Sequence, residues 1–201
     1  MATKEILLQH AITKFTQLGS KHVTLDEIAD DLGISKKTIY TFFKTKGDLV
    51  TASVMVLLDE YQLDINAITD CKSTDALSKV ILIYKRGFEY IAYFKPSFLS
   101  DLSRYYPKAN KVYTAFLERL SKVTVYNLLV QAQEAGNIRS DINVSLVVAI
   151  YFTRIDLLVL GNNNLIALYG KEATFHHLVI SNLRGIISPT YTNDYFQSCG
   201  N

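Results

Sequence analysis

Residues 24–49, TLDEIADDLGISKKTIYTFFKTKGDL, constrain this chain more than any other stretch. Thr24 opens a capping box: its hydroxyl can accept from the amide three residues on, and Glu27 can reach back to the Thr24 amide. Val23 and Ile28 stand at the spacing of a hydrophobic staple around that cap. Ile28, Ala29 and Leu32 share one helical face, and Gly33 follows where a helix can end in the left-handed region. Ser35 caps the next helix with Ile34 and Ile39 as its staple, and Ile39 and Phe43 point inward one turn apart. Two short helices joined by a tight glycine turn are a helix-turn-helix. The second exposes Lys36, Lys37, Thr38, Tyr40 and Thr41, side chains able to reach phosphates and base edges. Lys36, Lys37, Lys44 and Lys46 lie between Gly33 and Gly47 with no acid among them, a local charge of +4. An ordinary helical corner with a solvated lysine face is the plainer alternative; caps, turn and charge together favour DNA.

Composition narrows the class. A net charge of +2 excludes a globally basic, nonspecific nucleic-acid coat. The two cysteines, Cys71 and Cys199, stand in no metal or redox spacing, and a reduced cytoplasmic compartment is the simplest reading. The N-terminus lacks signal-peptide shape. Only three prolines and nine glycines break the chain, so long helices are expected, and 49% apolar residues are ample for a core.

The periodicity predicts an all-α chain of about nine helices. An amphipathic helix over 3–18 completes a three-helix N-terminal domain, 1–46. A fourth helix starts at Thr45 or Lys46, runs to about 67 without a linker and forms a rigid bridge into a helical bundle over 47–190. Further helices are expected at about 74–94, 96–106, 107–135, 144–160 and 172–188. The stripe of the 107–135 helix takes in Tyr113, Phe116, Leu117, Leu120, Val123, Asn127 and Val130. In the GNIRSDIN connection Asp141 or Asn143 can cap the helix that follows, while GNNNLIALYG and the tail 191–201 are read as irregular. The 144–160 segment is apolar nearly all round but too short for a confident membrane span and carries Arg154 and Asp156. It therefore suits burial on two faces, and with 172–188 forms the expected homodimer surface.

These residues resemble the TetR family of transcriptional regulators. The resemblance rests on Phe15 to Gly19, Thr24 with Ile28-Ala29, Gly33-Ile-Ser35-Lys36-Lys37-Thr38-Ile39-Tyr40 followed by Phe43, and Lys46-Gly-Asp-Leu49, and it covers about residues 5–55. It implies that Thr24, Tyr40 and Lys46 contact phosphates, and that Lys36, Lys37, Thr38 and Thr41 face the major groove or its edges, with Lys44 nearby. Lys37 stands where the family usually has glycine, Thr41 where it has a second tyrosine, and Phe42 where it has a histidine that often contacts the backbone. Gly47 replaces a helix-favouring glutamate, a local loss of ~1 kcal/mol.

The expected function is a ligand-responsive repressor, binding a palindromic DNA operator as a homodimer. A TetR-like architectural or partner-protein module without an effector is the alternative. Tyr84, Phe88, Tyr105, Tyr113, Phe116, Asn127, Phe152 and Arg154 are candidates to line a site for a small hydrophobic or aromatic effector. Each aromatic can equally be plain core. Asn127 either bonds a neighbouring helix or faces a cavity, and Arg154 pairs with a carboxylate such as Glu89 or binds an anionic ligand. No catalytic, cofactor or metal site is expected: Glu172 and His176 are a lone pair, and no Gly-x-Ser-x-Gly, P-loop or GxGxxG occurs.

Overall fold

The computed structural model describes residues 3–150 and 165–197. These are helical with no strand; an isolated antiparallel bridge joins Ile138 to Ile187. The chain gathers into two compact units, one of residues 3–60 and 93–116, the other of 61–92, 117–150 and 165–197.

In the first unit, α1 (Lys4–Leu18) starts at Thr3, whose hydroxyl accepts from the Ile6 amide at 3.3 Å. It buries Leu7, Ala11, Ile12 and Phe15. α2 (Leu25–Asp31) and α3 (Lys36–Phe42) follow, and the first half of α4 (Lys46–Asp70) adds Leu49, Val50 and Val54 to the same core. Later chain completes the unit: α6 (Pro96–Tyr105) packs against α1, and the start of α7 belongs to the same unit. The Lys95 amide donates to the Thr16 carbonyl at 2.7 Å, the Lys21 amide to buried Asp101 at 2.8 Å, and the Tyr106 hydroxyl to the Ser20 carbonyl at 3.0 Å. Gly19 is required where these meet. Its φ is +88°, and a Cβ there would lie 2.6 Å from Ser97 Oγ.

In the second unit, α5 (Ala76–Tyr93) is capped by Asp75, whose carboxylate accepts from the amides of Leu77 and Ser78 at 3.0 and 3.1 Å. The Tyr61 hydroxyl donates to the Ile83 carbonyl at 2.8 Å, and a Cβ on Gly87 would lie 2.8 Å from that hydroxyl oxygen. α8 is described over 144–150 and is capped by Asn143, which accepts from the Leu146 amide at 3.0 Å. α9 spans 171–184.

Four expectations need correction. First, α7 (107–134) is α-helical over Pro107–Arg119 and Tyr126–Glu134 but wound as a π-helix over Leu120–Val125. One extra residue enters that turn, so the inner face moves on by one position. Tyr113, Phe116 and Leu120 are buried as expected, but Val125, Leu128, Leu129 and Ala132 follow them inward. Val123 is 52% exposed and Asn127 is exposed, so Asn127 does not interrupt an inner stripe. Second, His176–Ile180 within α9 is also a π turn, and Val179, Ile180 and Leu183 form its buried face. Third, Leu165–Tyr169 is helical where an irregular loop was expected. Fourth, the tail is anchored: the Tyr191 hydroxyl donates to Asp75 at 2.9 Å, Asn193 donates to Ser78 Oγ at 2.6 Å, and Phe196 is buried.

Candidate nucleic-acid interface

Local chemistry builds the site from its two caps. Thr24 Oγ1 accepts from the Glu27 amide at 3.1 Å, and Glu27 accepts from the Thr24 amide at 2.6 Å, closing both arms of the capping box. Those bonds, the Thr24 amide first, hold the Glu27 carboxyl below its ordinary range. α2 buries Leu25, Ile28 and Ala29. Gly33 then takes φ +61°, its amide bonding the Asp30 carbonyl at 3.1 Å, while the Ile34 amide reaches the Ala29 carbonyl at 2.9 Å. Ser35 Oγ accepts from the Thr38 amide at 3.2 Å and so starts α3. Ile39 and Phe43 are buried and seat α3 on the core, which turns its opposite face outward.

That face differs in detail from a row of free cations. Lys37 and Lys44 are exposed and form no ion pair among the described residues. Lys36 is exposed but tied at 2.8 Å to Asp26 on α2, which raises the Lys36 pKa. An exposed pair of this kind is worth little to stability. Lys46 is half-buried: its ammonium donates to the Lys21 carbonyl at 3.2 Å and lies 5.8 Å from the Tyr106 ring centroid, and desolvation lowers its pKa. Tyr40 is 48% exposed and Phe42 is exposed beside it. Thr41 Oγ1 donates to the Thr38 carbonyl at 2.6 Å, leaving its lone pairs outward, and the Thr38 hydroxyl is engaged with Ser35 at 2.9 Å. The exposed Thr24 hydroxyl accepts within its cap and keeps its proton for an outside acceptor. Asp31 braces α2 to α1 through Lys14 at 2.6 Å and His10 at 2.9 Å, and the Lys14 bond foremost lowers the Asp31 pKa.

The other candidates are divided between the two units. Tyr84 and Phe88 are buried in the second unit, where Phe88 meets Phe175 edge to face at 5.5 Å, and burial drives the Tyr84 pKa far up. Tyr113 and Phe116 are buried in the first unit. Tyr105 is exposed at the end of α6, its hydroxyl accepting from Lys21 at 2.9 Å, so it belongs to the outer surface of the first unit rather than an inner lining. Glu89 accepts from Arg86 at 2.8 Å, and Arg86 also donates to Asp64 at 2.6 Å. Phe152 and Arg154 lie outside the described residues. Among the described residues no His/Cys/Asp/Glu group could hold a metal, and no helix is long and apolar enough to cross a membrane.

Residues 7–52 match the family model described as bacterial regulatory proteins, tetR family. A stretch of 57 residues, 28% of this chain, is 42% identical to the uncharacterized HTH-type transcriptional regulator YhgD of Bacillus subtilis (strain 168), spanning 30% of that protein's length. The regulatory protein TetR from Rhodobacter sphaeroides superposes with a TM-score of 0.71 at 17% identity, covering 90% of this chain and 96% of the other. Residues 7–52 thus carry the tetR-family helix-turn-helix pattern, and the chain has the TetR-like fold. A regulator from Saccharomonospora viridis in complex with choline shares the TetR-like fold at a TM-score of 0.70 and 18% identity, over 90% of this chain and 96% of that one. FadR from Bacillus subtilis, in complex with stearoyl-CoA, does so at 0.64 and 19%, over 90% and 97%. Sequence identity to the family is thus concentrated in the helix-turn-helix, and the remainder shares shape.

The sequence carried no local signal for the Lys36–Asp26 pair or for the burial of Lys46. The first joins the two helices of the motif across ten residues, from Asp26 on α2, and the second depends on Lys21 and Tyr106, brought in from the turn after α1 and the α6–α7 corner.

Proposed function

We propose that the protein is a ligand-responsive DNA-binding repressor that holds a palindromic operator as a homodimer. The observation that carries this reading is the doubly capped helix-turn-helix whose outer face presents Lys37, Tyr40, Thr41 and Lys44 without a neutralising acid. Each subunit lays α3 in a major groove, with half-sites one helical turn, ~34 Å, apart or slightly more. Lys37 and Lys44 alone supply four phosphate contacts per dimer, a salt slope of about −4; exchange of Lys36 from Asp26 and engagement of Lys46 would carry it towards about −7.

The dimer face is α8 with α9. Leu146 and Ile150 on α8 are 57% and 44% exposed, which supports an apolar partner there. The effector is a hydrophobic or planar molecule, for which Tyr84 and Phe88 are the second-unit candidates. The stearoyl-CoA complex of a protein with this fold supports an apolar ligand class. Such a molecule acts by binding one spacing of the recognition helices better than another.

A mobility-shift titration against DNA upstream of the protein's own gene, repeated at several salt concentrations, tests the core reading. A specific complex with a steep salt slope is expected, and its loss in Lys37→Ala/Lys44→Ala. Absence of any specific complex would count against DNA regulation. Adding a long-chain acyl-CoA to that complex tests the effector class: release supports an apolar effector, and an unchanged complex removes acyl chains from consideration.

A further inference from the structure

Outside the helix-turn-helix, the first unit carries a second basic surface. It lies where α6 meets α7, against the turn after α1. Lys21 extends over the Tyr105 ring, 4.7 Å from its centroid, and donates to the Tyr105 hydroxyl at 2.9 Å. Stacking and the hydrogen bond hold the ammonium in place at an exposed position. Arg104 is exposed beside it, near enough to act electrostatically on Lys21. Lys108, on the first turn of α7, is 80% exposed and touches Asp48 at 3.4 Å.

Two links make this surface continuous with the recognition helix. Lys46, which follows α3 closely, bonds the Lys21 carbonyl, and Asp48, in the first turn of α4, meets Lys108. Of the acids nearby, Asp101 is buried and consumed by the Lys21 amide, and Asp48 is a half-buried counter-charge, already bonded to Thr45 at 2.8 Å. The excess is therefore positive, ordered and adjacent to the face that meets DNA.

We infer that Lys21, Arg104 and Lys108 form a flank clamp that binds the phosphate backbone outside the bases read by α3. The proposal rests on the DNA-binding reading above. Its occupant is duplex DNA continuing past the half-site: the partner is anionic along its whole length, and the patch runs on from the site that holds it. The clamp adds affinity and salt dependence and carries no base preference.

The test uses full-length protein and a duplex selected on the wild type from a random library. That duplex is made in two forms, one ending at the palindrome and one extended by about ten base pairs, one helical turn, on each side. Wild type is compared with Lys21→Gln/Arg104→Gln/Lys108→Gln and with Lys72→Gln/Lys85→Gln/Lys122→Gln, which removes the same charge from exposed positions of the second unit. Wild type should bind the extended duplex about tenfold more tightly, and the clamp variant should lose that preference with the salt slope on the long duplex reduced by up to about 5 for six contacts. Thermal midpoints should match, and both variants should keep wild-type affinity for the short duplex. Equal affinity of wild type for both duplexes, or an equal loss in the control variant, overturns the clamp while leaving the helix-turn-helix reading intact. Recovery of no selected duplex by the wild type overturns both.

Discussion

Thr24 has two uses for one hydroxyl. Its oxygen accepts from the Glu27 amide, and in the proposed complex its proton goes to a phosphate. Thr24→Ala removes both, so stability should fall by about 1 kcal/mol and DNA affinity should fall as well, whereas Thr24→Ser should restore both in urea melts and binding titrations. The acids nearby give a pH dependence whose sign is fixed. Glu27 and Asp31 have folded-state pKa values below their ordinary ones, held there chiefly by the Thr24 amide and by Lys14. Their stabilisation is complete above about pH 4 to 5 and is lost as pH falls through the lowered folded values. A thermal-midpoint profile from pH 6 to about 3 should therefore fall on the acid side, and Glu27→Gln/Asp31→Asn should flatten that limb. Lys36 and Lys37 separate along similar lines. Lys37 has no ion pair among the described residues, so Lys37→Ala should lower the salt slope by up to about 2 per dimer. Lys36→Ala should lower it less, because Lys36 must first leave Asp26. Equal slopes for the two variants would show that the Asp26 pair does not persist on DNA.

At the scale of the element, what was legible in the sequence and what was not divides by range. α2 and α3 were readable because each rests on contacts a few residues apart: Thr24 with Glu27, Asp30 with Gly33, Ser35 with Thr38. The π turns of α7 and α9 were not, since no residue preference announces an extra residue in a helical turn. They shift the buried face by one, which is why Asn127 read as inward and lies outward. The contribution of α6 to the first unit was invisible for another reason: Lys21 and Asp101 stand 80 residues apart. If the π turn of α7 is one extra residue, deletion of exposed Val123 should restore α winding and keep Tyr113, Phe116, Leu128 and Leu129 on one face. That variant should fold with nearly unchanged stability by chemical denaturation, whereas Leu129→Ala should cost about 2–5 kcal/mol. A deletion as damaging as Leu129→Ala would mean that the turn makes contacts of its own. Gly47 offers the opposite case. A Cβ there meets Thr45 Oγ1 at 3.6 Å and Tyr106 at 3.8 Å, ordinary contacts in a helical backbone. Gly47→Ala should therefore stabilise α4 by up to about 1 kcal/mol in the same assay.

For the whole molecule, the small recognition surface becomes selective only if two copies act together. One helix-turn-helix, with Lys37 and Lys44 outside any ion pair among the described residues, gives few contacts, and a dimer would double the salt slope while making the spacing of half-sites part of the specificity. The proposed dimer face offers the sharpest test, because it lies in the other compact unit from α3. Leu146 and Ile150 are large apolar side chains left exposed on α8, while Val144 and Val148 of the same segment are buried. A helix that buries one apolar face and presents another is shaped for two partners, its own core and a second chain. Leu146→Glu/Ile150→Glu places carboxylates where two such faces would meet, and like charges in an apolar interface are costly. The variant should sediment as a monomer with unchanged helix content. It should bind an isolated half-site as wild type does, and lose the tight, spacing-dependent binding of the palindrome. A variant that remains dimeric would move the interface off this face of α8. A monomer that still bound the palindrome with wild-type affinity would remove the dimer from the recognition mechanism.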